Sequence, residues 1–453
     1  MKTAPDAMDA AASVEHRPLR LAMFSPVPPT HSGIAAYLAD LLPLLPEAWD
    51  IDVFTDAGVE PAPHALQRAG GSTGQGGGPR AHVDGAAPSD AEAAVPCFAH
   101  TEFLSRNETR PYDLNIYQVG NSTAGAHVYD YVTAHPGLLV LHDGVVHPAR
   151  VGAAISAGDV DGYRRMASSC RADVGAAVGH LVAGGLGGPA LYRTFPMCED
   201  LARASRVTAM HGELACGWLR ALVPEASVVS VTHWRSVDID RARRDAWRQR
   251  LGTDDEVIIG SFGNIGPERR LDRVFRALAD DGAAKNWRLA VAGVVAPDLR
   301  LEALAADLGI AERISWLPDL DDAEFVAVMG AVDLAVNLRY PPARASSGVL
   351  HQLLQIGVPA VISDVLHWRD YPDAAVARVP PGPEEAEHEV LARALGRWLI
   401  DPERRAAAAS AAAAWAAAHL TPEKMRHDYI RAVGLALEPG RARVSERPEN
   451  SAL

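Results

Sequence analysis

Cysteine, lysine and long apolar runs are all scarce in this chain of 453 residues. The four cysteines, Cys97, Cys170, Cys198 and Cys216, show no CxxC or other metal-ligand spacing, so no metal is expected and the thiols read as buried and reduced. The lysines are Lys2, Lys285 and Lys424, none inside a motif, which argues against a lysine-bound pyridoxal phosphate and a phosphorylase built on it. No run of about 18 apolar residues occurs, so nothing is expected to span a membrane. The N-terminal stretch MKTAPDAMDAAASVEHRP carries Asp6, Asp9 and Glu15 and no apolar centre, so a secretory signal is not expected and the protein reads as cytoplasmic. Positive charge is also short. A formal charge of -14 excludes a general nucleic-acid binder, because phosphate backbones need a basic surface, and any anionic ligand must meet a local pocket. Neither PTHSGI nor GNIGPE completes a GxGxxG fingerprint, which argues against a dinucleotide dehydrogenase.

What is present is the composition of a globular protein, 48% hydrophobic and 22% charged, long enough for two or three domains. Short apolar runs at Leu19–Phe24, Ile51–Thr55, Leu114–Gln118, Leu138–Leu141, Arg206–Met210 and Ser227–Val231 read as strands, with a helix at about Ile34–Leu45 and a long helical zone ending near Ala204. From Asp56 to Val95 the chain is rich in Gly, Ala and Pro and reads as a flexible insertion. A second series opens at VIIGSFG (from Val257), passes the turn GNIGPERR into a helix through Leu278, and continues with strands at Arg288–Ala292, Ile314–Trp316, Leu334–Asn337 and Ala360–Ile362. An Ala-rich helix at Arg404–Ala418 and one started by Thr421-Pro422 close the chain. The expected fold class is α/β: two Rossmann-like, doubly wound parallel-sheet domains facing a cleft. The expected division is a disordered 1–17, an N-terminal Rossmann-like domain 18–235 with its flexible insertion at 56–95, a C-terminal Rossmann-like domain 236–420, a helix 421–437 packing back on the first domain, and a disordered tail 438–453.

The most telling stretch is Val336–Asp364, VNLRYPPARASSGVLHQLLQIGVPAVISD. It reads as strand, Pro-rich loop, Ser346-Ser347-Gly348 turn, helix, Gly-Val-Pro stop and strand. A helix start of this kind offers hydroxyls, free backbone N–H groups and the positive end of the helix dipole to a phosphate. Arg339 and Arg344 stand just before it. No Asp or Glu occurs between Asp333 and Asp364.

With the segments SPVPPTHSGIAAY, YQVGNS, PGLLVLHD, SFGNIGPERRLD and NLRYPP to GVPAVISD in this order, the chain resembles the family-4, group 1 glycosyltransferases of GT-B fold. The resemblance covers most of residues 19–437. It implies a retaining, metal-independent glycosyltransferase that needs no cofactor and moves a hexosyl unit from a UDP- or GDP-type donor to a glycan, lipid-linked glycan or small acceptor. It implies that Ser32 and Gly33 lie under the sugar diphosphate, that His142 contacts the transferred sugar, and that Asp143 orients His142 or caps the next turn. His147 and His211 are weaker candidates; His211 lies where a cleft-wall motif usually runs but is better explained by packing. Gly263, Asn264 and Arg269 stand at the diphosphate motif, where the family has an Arg and, five residues on, a Lys; Arg270 is the neighbouring cation. Arg344 and Gln352 occupy the family's paired acidic positions, with Ala345 beside them, and Ser346, Ser347 and Gly348 complete the phosphate turn. Those departures leave a second reading, a degenerate GT-B protein that binds a nucleotide sugar or protein partner without turnover. The basic run Arg241–Arg250 reads as a solvated helix and leaves a peripheral membrane contact open.

Overall fold

A computed structural model describes residues 14–30, 32–60, 66–68, 93–280 and 286–438. The chain divides into two compact units. The first holds the described residues of Met1–Thr232, Ala343–Ser346 and Pro422–Leu453; the second holds those of His233–Pro342 and Ser347–Thr421.

In the first unit β1 (Leu19–Phe24), β2 (Trp49–Thr55), β3 (Cys97–Ala99), β4 (Leu114–Val119), β5 (Leu138–Leu141), β6 (Val207–Met210) and β7 (Val228–Ser230) form one sheet in the order β3-β2-β1-β4-β5-β6-β7. Every pairing is parallel. Such strands are covered on both faces, which is why LLVL and VTAM are wholly apolar or small and wholly buried. Helix α1 (Gly33–Leu41) follows β1, capped by the Ser32 hydroxyl, which accepts from the Ile34 N–H. Its helix is shorter than the sequence suggests, because Pro43 turns the last residues, Leu42–Leu44, into a 3₁₀ turn. Helix α2 (His147–Ala157) opens the long helical zone, where His147 is buried with Nδ1 donating to the Phe195 carbonyl and Nε2 accepting from Tyr163.

The insertion expected at 56–95 is ordered at its ends. Asp56 accepts from the Gly125 N–H and contacts His127 Nδ1 at 2.8 Å, and Gln67–Arg68 pairs antiparallel with Ala93–Ala94. Leu66 and Val95 are buried there, and the Val95 N–H donates to the Leu66 carbonyl at 3.0 Å; residues 61–65 and 69–92 lie outside the described residues. Val14 and Glu15 of the expected disordered N-terminus are also placed: the Val14 carbonyl accepts from Trp49 Nε1, and Glu15 pairs with Arg426 at 2.5 Å. Residues 1–13 and 439–453 lie outside the described residues.

In the second unit β8 (Val257–Phe262), β9 (Trp287–Ala292), β10 (Ile314–Leu317), β11 (Leu334–Asn337), β12 (Ala360–Ser363) and β13 (Val376–Val379) run in the order β10-β9-β8-β11-β12-β13, again all parallel. The order reverses beside β8. That makes the carboxyl ends of β8 and β11 the topological switch point, where open α/β sheets bind ligands. Helix α3 (Leu271–Ala279) follows β8, and α4 (Gly348–Ile356) follows β11 with Ser347 as its cap. Helix α5 (Pro422–Leu437) belongs to the first unit, where Tyr429 meets Tyr37 of α1. Among the described residues no helix is long and apolar enough to cross a membrane, and no cluster of three or more His, Cys, Asp or Glu is fit to hold a metal.

Candidate functional site

At the switch point of the second unit Arg269 is 7% exposed, Asn337 2% and Ser347 1%. The β8 strand ends at Gly263, whose φ of +86° a side chain would strain, and the chain makes a short 3₁₀ turn, Pro267–Arg269, before α3. That turn carries the Arg269 side chain back beneath Gly263. Its Nε donates to the Asn264 carbonyl at 3.1 Å and its Nη1 to Asn337 Oδ1 at 2.6 Å. Asn337 Nδ2 in turn donates to Ser347 Oγ at 3.2 Å, and the same oxygen accepts from the Leu350 N–H. One asparagine at the end of β11 thus ties the arginine to the cap of α4.

Among the described residues no carboxylate lies within ion-pair distance of Arg269. Burial and the neighbouring charge of Arg339 push its pKa well below the usual arginine range, and the Glu268 carboxylate offsets only part of this. A buried cation without a counter-charge is costly, so the site favours an anion. Helix α4 supplies matching donors. The Leu350 N–H is capped and the His351 N–H bonds the Ser347 carbonyl, which leaves the N–H groups of Gly348 and Val349 without an acceptor among the described residues.

A pocket of about 450 Å³ lies next to this site at the carboxyl ends of β9 and β10, lined by Gly293, Val294, Pro297, Arg300, Trp316 and Pro318, among others. It borders the arginine site directly. A Cβ on Gly293 would stand 2.3 Å from the Gly263 carbonyl. The two βα turns are also alike: Ile265 bridges Val295, and Arg270 and Arg300 both take left-handed φ, at +52° and +46°. Only the first of the two carries a cation in its 3₁₀ turn, Arg269 against Leu299.

The other residues singled out in the sequence fall as follows. Asn264 is exposed and meets Arg269 through its backbone carbonyl, not its side chain. Arg270 forms an ion pair with buried Glu387, so it is not the spare phosphate ligand that its position suggests. Gln352 Nε2 donates to the Ser236 carbonyl at 3.1 Å. Arg344 lies outside the unit that holds Arg269. Segment Ala343–Ser346 belongs to the first unit, where the Ala343 carbonyl accepts from the Val145 N–H and the Arg344 guanidinium lies 5.4 Å from the Trp218 ring centre, with φ at +58°. Ser346 is part of that segment and Ser347 is the residue that caps α4. In the first unit, Gly33 faces open space, and Asp143 Oδ2 accepts from the Asn121 N–H at 2.8 Å, holding the loop after β4. His142 is buried, with Nε2 2.8 Å from the Gln118 amide and Nδ1 3.1 Å from His211 Nε2. Asn337 is the member that the sequence reading passes over; a polar residue ending the apolar strand LAVN is the signal for it.

The family model for glycosyl transferases group 1 matches residues 243–415, a span that holds Gly263, Asn264, Arg269, Asn337, Arg344, Ser347, Gly348 and Gln352. A D-inositol 3-phosphate glycosyltransferase of Mycobacterium sp. (strain KMS) is 30% identical over 185 residues, 34% of this chain and 41% of the relative. One of Geodermatophilus obscurus is 37% identical over 115 residues, 22% of this chain and 25% of the relative. The matches thus span about two-fifths or less of the length of these curated relatives. Among solved structures, sucrose-phosphate synthase from Thermosynechococcus elongatus superposes with TM-score 0.60 at 14% identity, over 90% of this chain and 96% of that one. HepE of Anabaena, in its complex with UDP-glucose, gives 0.57 at 13%, over 90% and 97%. The fold is GT-B, and residues 243–415 are similar to the group 1 glycosyltransferases.

Proposed function

We propose that the protein is a retaining, metal-independent glycosyltransferase of family 4 that takes a nucleoside-diphosphate sugar, of UDP or GDP type, in its second unit. The carrying observation is the buried Arg269, with no carboxylate in ion-pair distance among the described residues, set between Gly263, Asn337 and the cap of α4. In this reading the diphosphate lies against Arg269 and the N–H groups of Gly348 and Val349, and the apolar pocket at Gly293, Pro297 and Trp316 receives the base. The complexes of HepE with UDP and UDP-glucose support a nucleotide-sugar donor.

During transfer the bond from the sugar C1 to the phosphate oxygen breaks and charge grows on the leaving diphosphate. Fixed donors that strengthen as this charge grows lower the barrier; removing one such donor in an enzyme site typically costs about 10²–10³ in rate. The acceptor hydroxyl forms the new bond to C1 on the same face and passes its proton to the departing phosphate oxygen, so no protein base is required. The names of the curated relatives make phosphorylated inositol the first acceptor to try, before glycans and lipid-linked glycans.

The test is incubation with UDP-glucose or GDP-mannose and inositol phosphates, following nucleoside diphosphate release and the anomeric configuration of the product by NMR. Release with retained configuration is expected. Tight nucleotide binding with no release under any acceptor would replace this reading with that of a binding protein, and an inverted product would refute the mechanism.

A further inference from the structure

The core of the first unit contains a chain of polar side chains, all buried, running from α1 through α5 to three strand ends. Tyr37 meets Tyr429 hydroxyl to hydroxyl at 3.0 Å, and Tyr429 lies 3.3 Å from the Gln118 amide. In the structure it is the amide nitrogen that faces Tyr429 and the amide oxygen that lies 2.8 Å from His142 Nε2, while His142 Nδ1 is 3.1 Å from His211 Nε2 and His211 Nδ1 is 3.1 Å from the Val231 carbonyl. We infer that Gln118 and Tyr429 are positioning residues that lock His142 as its neutral Nδ1–H tautomer, with the amide nitrogen of Gln118 turned toward Nε2.

The direction of every bond follows from the carbonyl end. Val231 O only accepts, so His211 carries its proton on Nδ1, and a neutral His211 presents a bare Nε2. His142 must then donate from Nδ1. A neutral His142 is left with a bare Nε2, which needs a donor, and the amide nitrogen of Gln118 is the group that supplies one. The amide oxygen then accepts from Tyr429, whose own oxygen accepts from Tyr37. All five side chains are satisfied in one direction.

The amide orientation in the structure, oxygen toward His142, has the same shape as its flip, and hydrogen bonding alone decides between the two. It puts a proton on Nε2 of His142. Two neutral rings would then face each other lone pair to lone pair at 3.1 Å, so that orientation requires an extra proton shared by the pair. Burial opposes that proton on both rings. The acidic groups felt at the far end of the chain, Asp428 and Asp40, act on Tyr37; Asp428 accepts from the Thr232 N–H and hydroxyl.

A ring with both nitrogens committed in this way aligns its edge and does not exchange protons. The tautomer stands on the first unit alone; only its bearing on catalysis, that His142 is no general base, rests on the transferase reading. The experiment is ¹⁵N NMR of the full chain labelled at histidine, with His142 assigned through its backbone. At pH 7 the wild type is expected to show a protonated-type Nδ1 and a bare-type Nε2. Gln118→Glu offers only acceptors, so His142 is expected to gain an Nε2 proton and remain cationic at least one pH unit higher than in the wild type. A protonated Nε2 in the wild type overturns the inference whether or not the variant folds, and so does a His142 spectrum unchanged in a folded Gln118→Glu. Neither outcome depends on whether the protein transfers sugar.

Discussion

Replacing Asn337 by Asp changes one atom and should move stability and nucleotide affinity in opposite directions. Asn337 Oδ1 already accepts from Arg269 Nη1 at 2.6 Å, so the new carboxylate meets the guanidinium without repacking, and the Ser347 hydroxyl can turn to donate to its second oxygen. At an effective dielectric near 20, opposite charges about 4 Å apart attract by about 4 kcal/mol. Desolvating the carboxylate offsets several kcal/mol of this, so a net gain of about 1 kcal/mol is expected, or about 2–4 °C in a unit of this size. For a phosphate about 6 Å from the carboxylate the same law gives a repulsion of about 3 kcal/mol, which is about a hundredfold in Kd. Differential scanning calorimetry and nucleotide titration of the same samples read both quantities. Destabilisation with unchanged nucleotide affinity would refute the argument, since Arg269 would then neither lack a counter-charge nor hold the phosphate.

Gly263→Ala forces a side chain onto a left-handed residue and places its Cβ 3.1 Å from Arg269 Nη2; a loss of about 1 kcal/mol in urea unfolding and weaker nucleotide binding are expected. Glu199 is fully buried, and among the described residues neither carboxylate oxygen has a hydrogen-bond partner, so burial raises its pKa. Because the folded value lies above the unfolded one, stability from this group is present below the unfolded pKa near 4.3 and is lost as pH rises toward the folded pKa. Glu199→Gln should therefore gain stability relative to wild type at pH 7.5 and little at pH 4, measured by denaturant titration at both.

Much of the fold is legible because parallel strands covered on both faces read as plain apolar runs. Leu19–Phe24, Leu138–Leu141 and Leu334–Asn337 carry the same limits in sequence and structure. The strands of the two parallel sheets that escape, Cys97–Ala99 and Val376–Val379, are edge strands, short and only partly buried, so no apolar run marks them. For the site, the sequence offers residue types but not their partners. Arg269 stands out by its charge, yet that Asn337 holds it depends on β8 and β11 lying side by side, 68 residues apart in the chain. Arg344 shows the reverse: three residues from Ser347, it nevertheless belongs to the other unit, because the backbone at Ala343 bonds Val145. Proximity in sequence misleads where a loop changes units.

The central claim is that Arg269 is the buried cation awaiting a diphosphate, and isothermal titration with UDP and GDP of the wild type and Arg269→Ala tests it most directly. One of the two nucleotides should bind the wild type, and the variant should lose about 2–4 kcal/mol, or about thirtyfold to a thousandfold in Kd, as expected when a buried charged hydrogen-bond partner is removed. Equal binding by both proteins, or binding of neither nucleotide to the wild type, would contradict it.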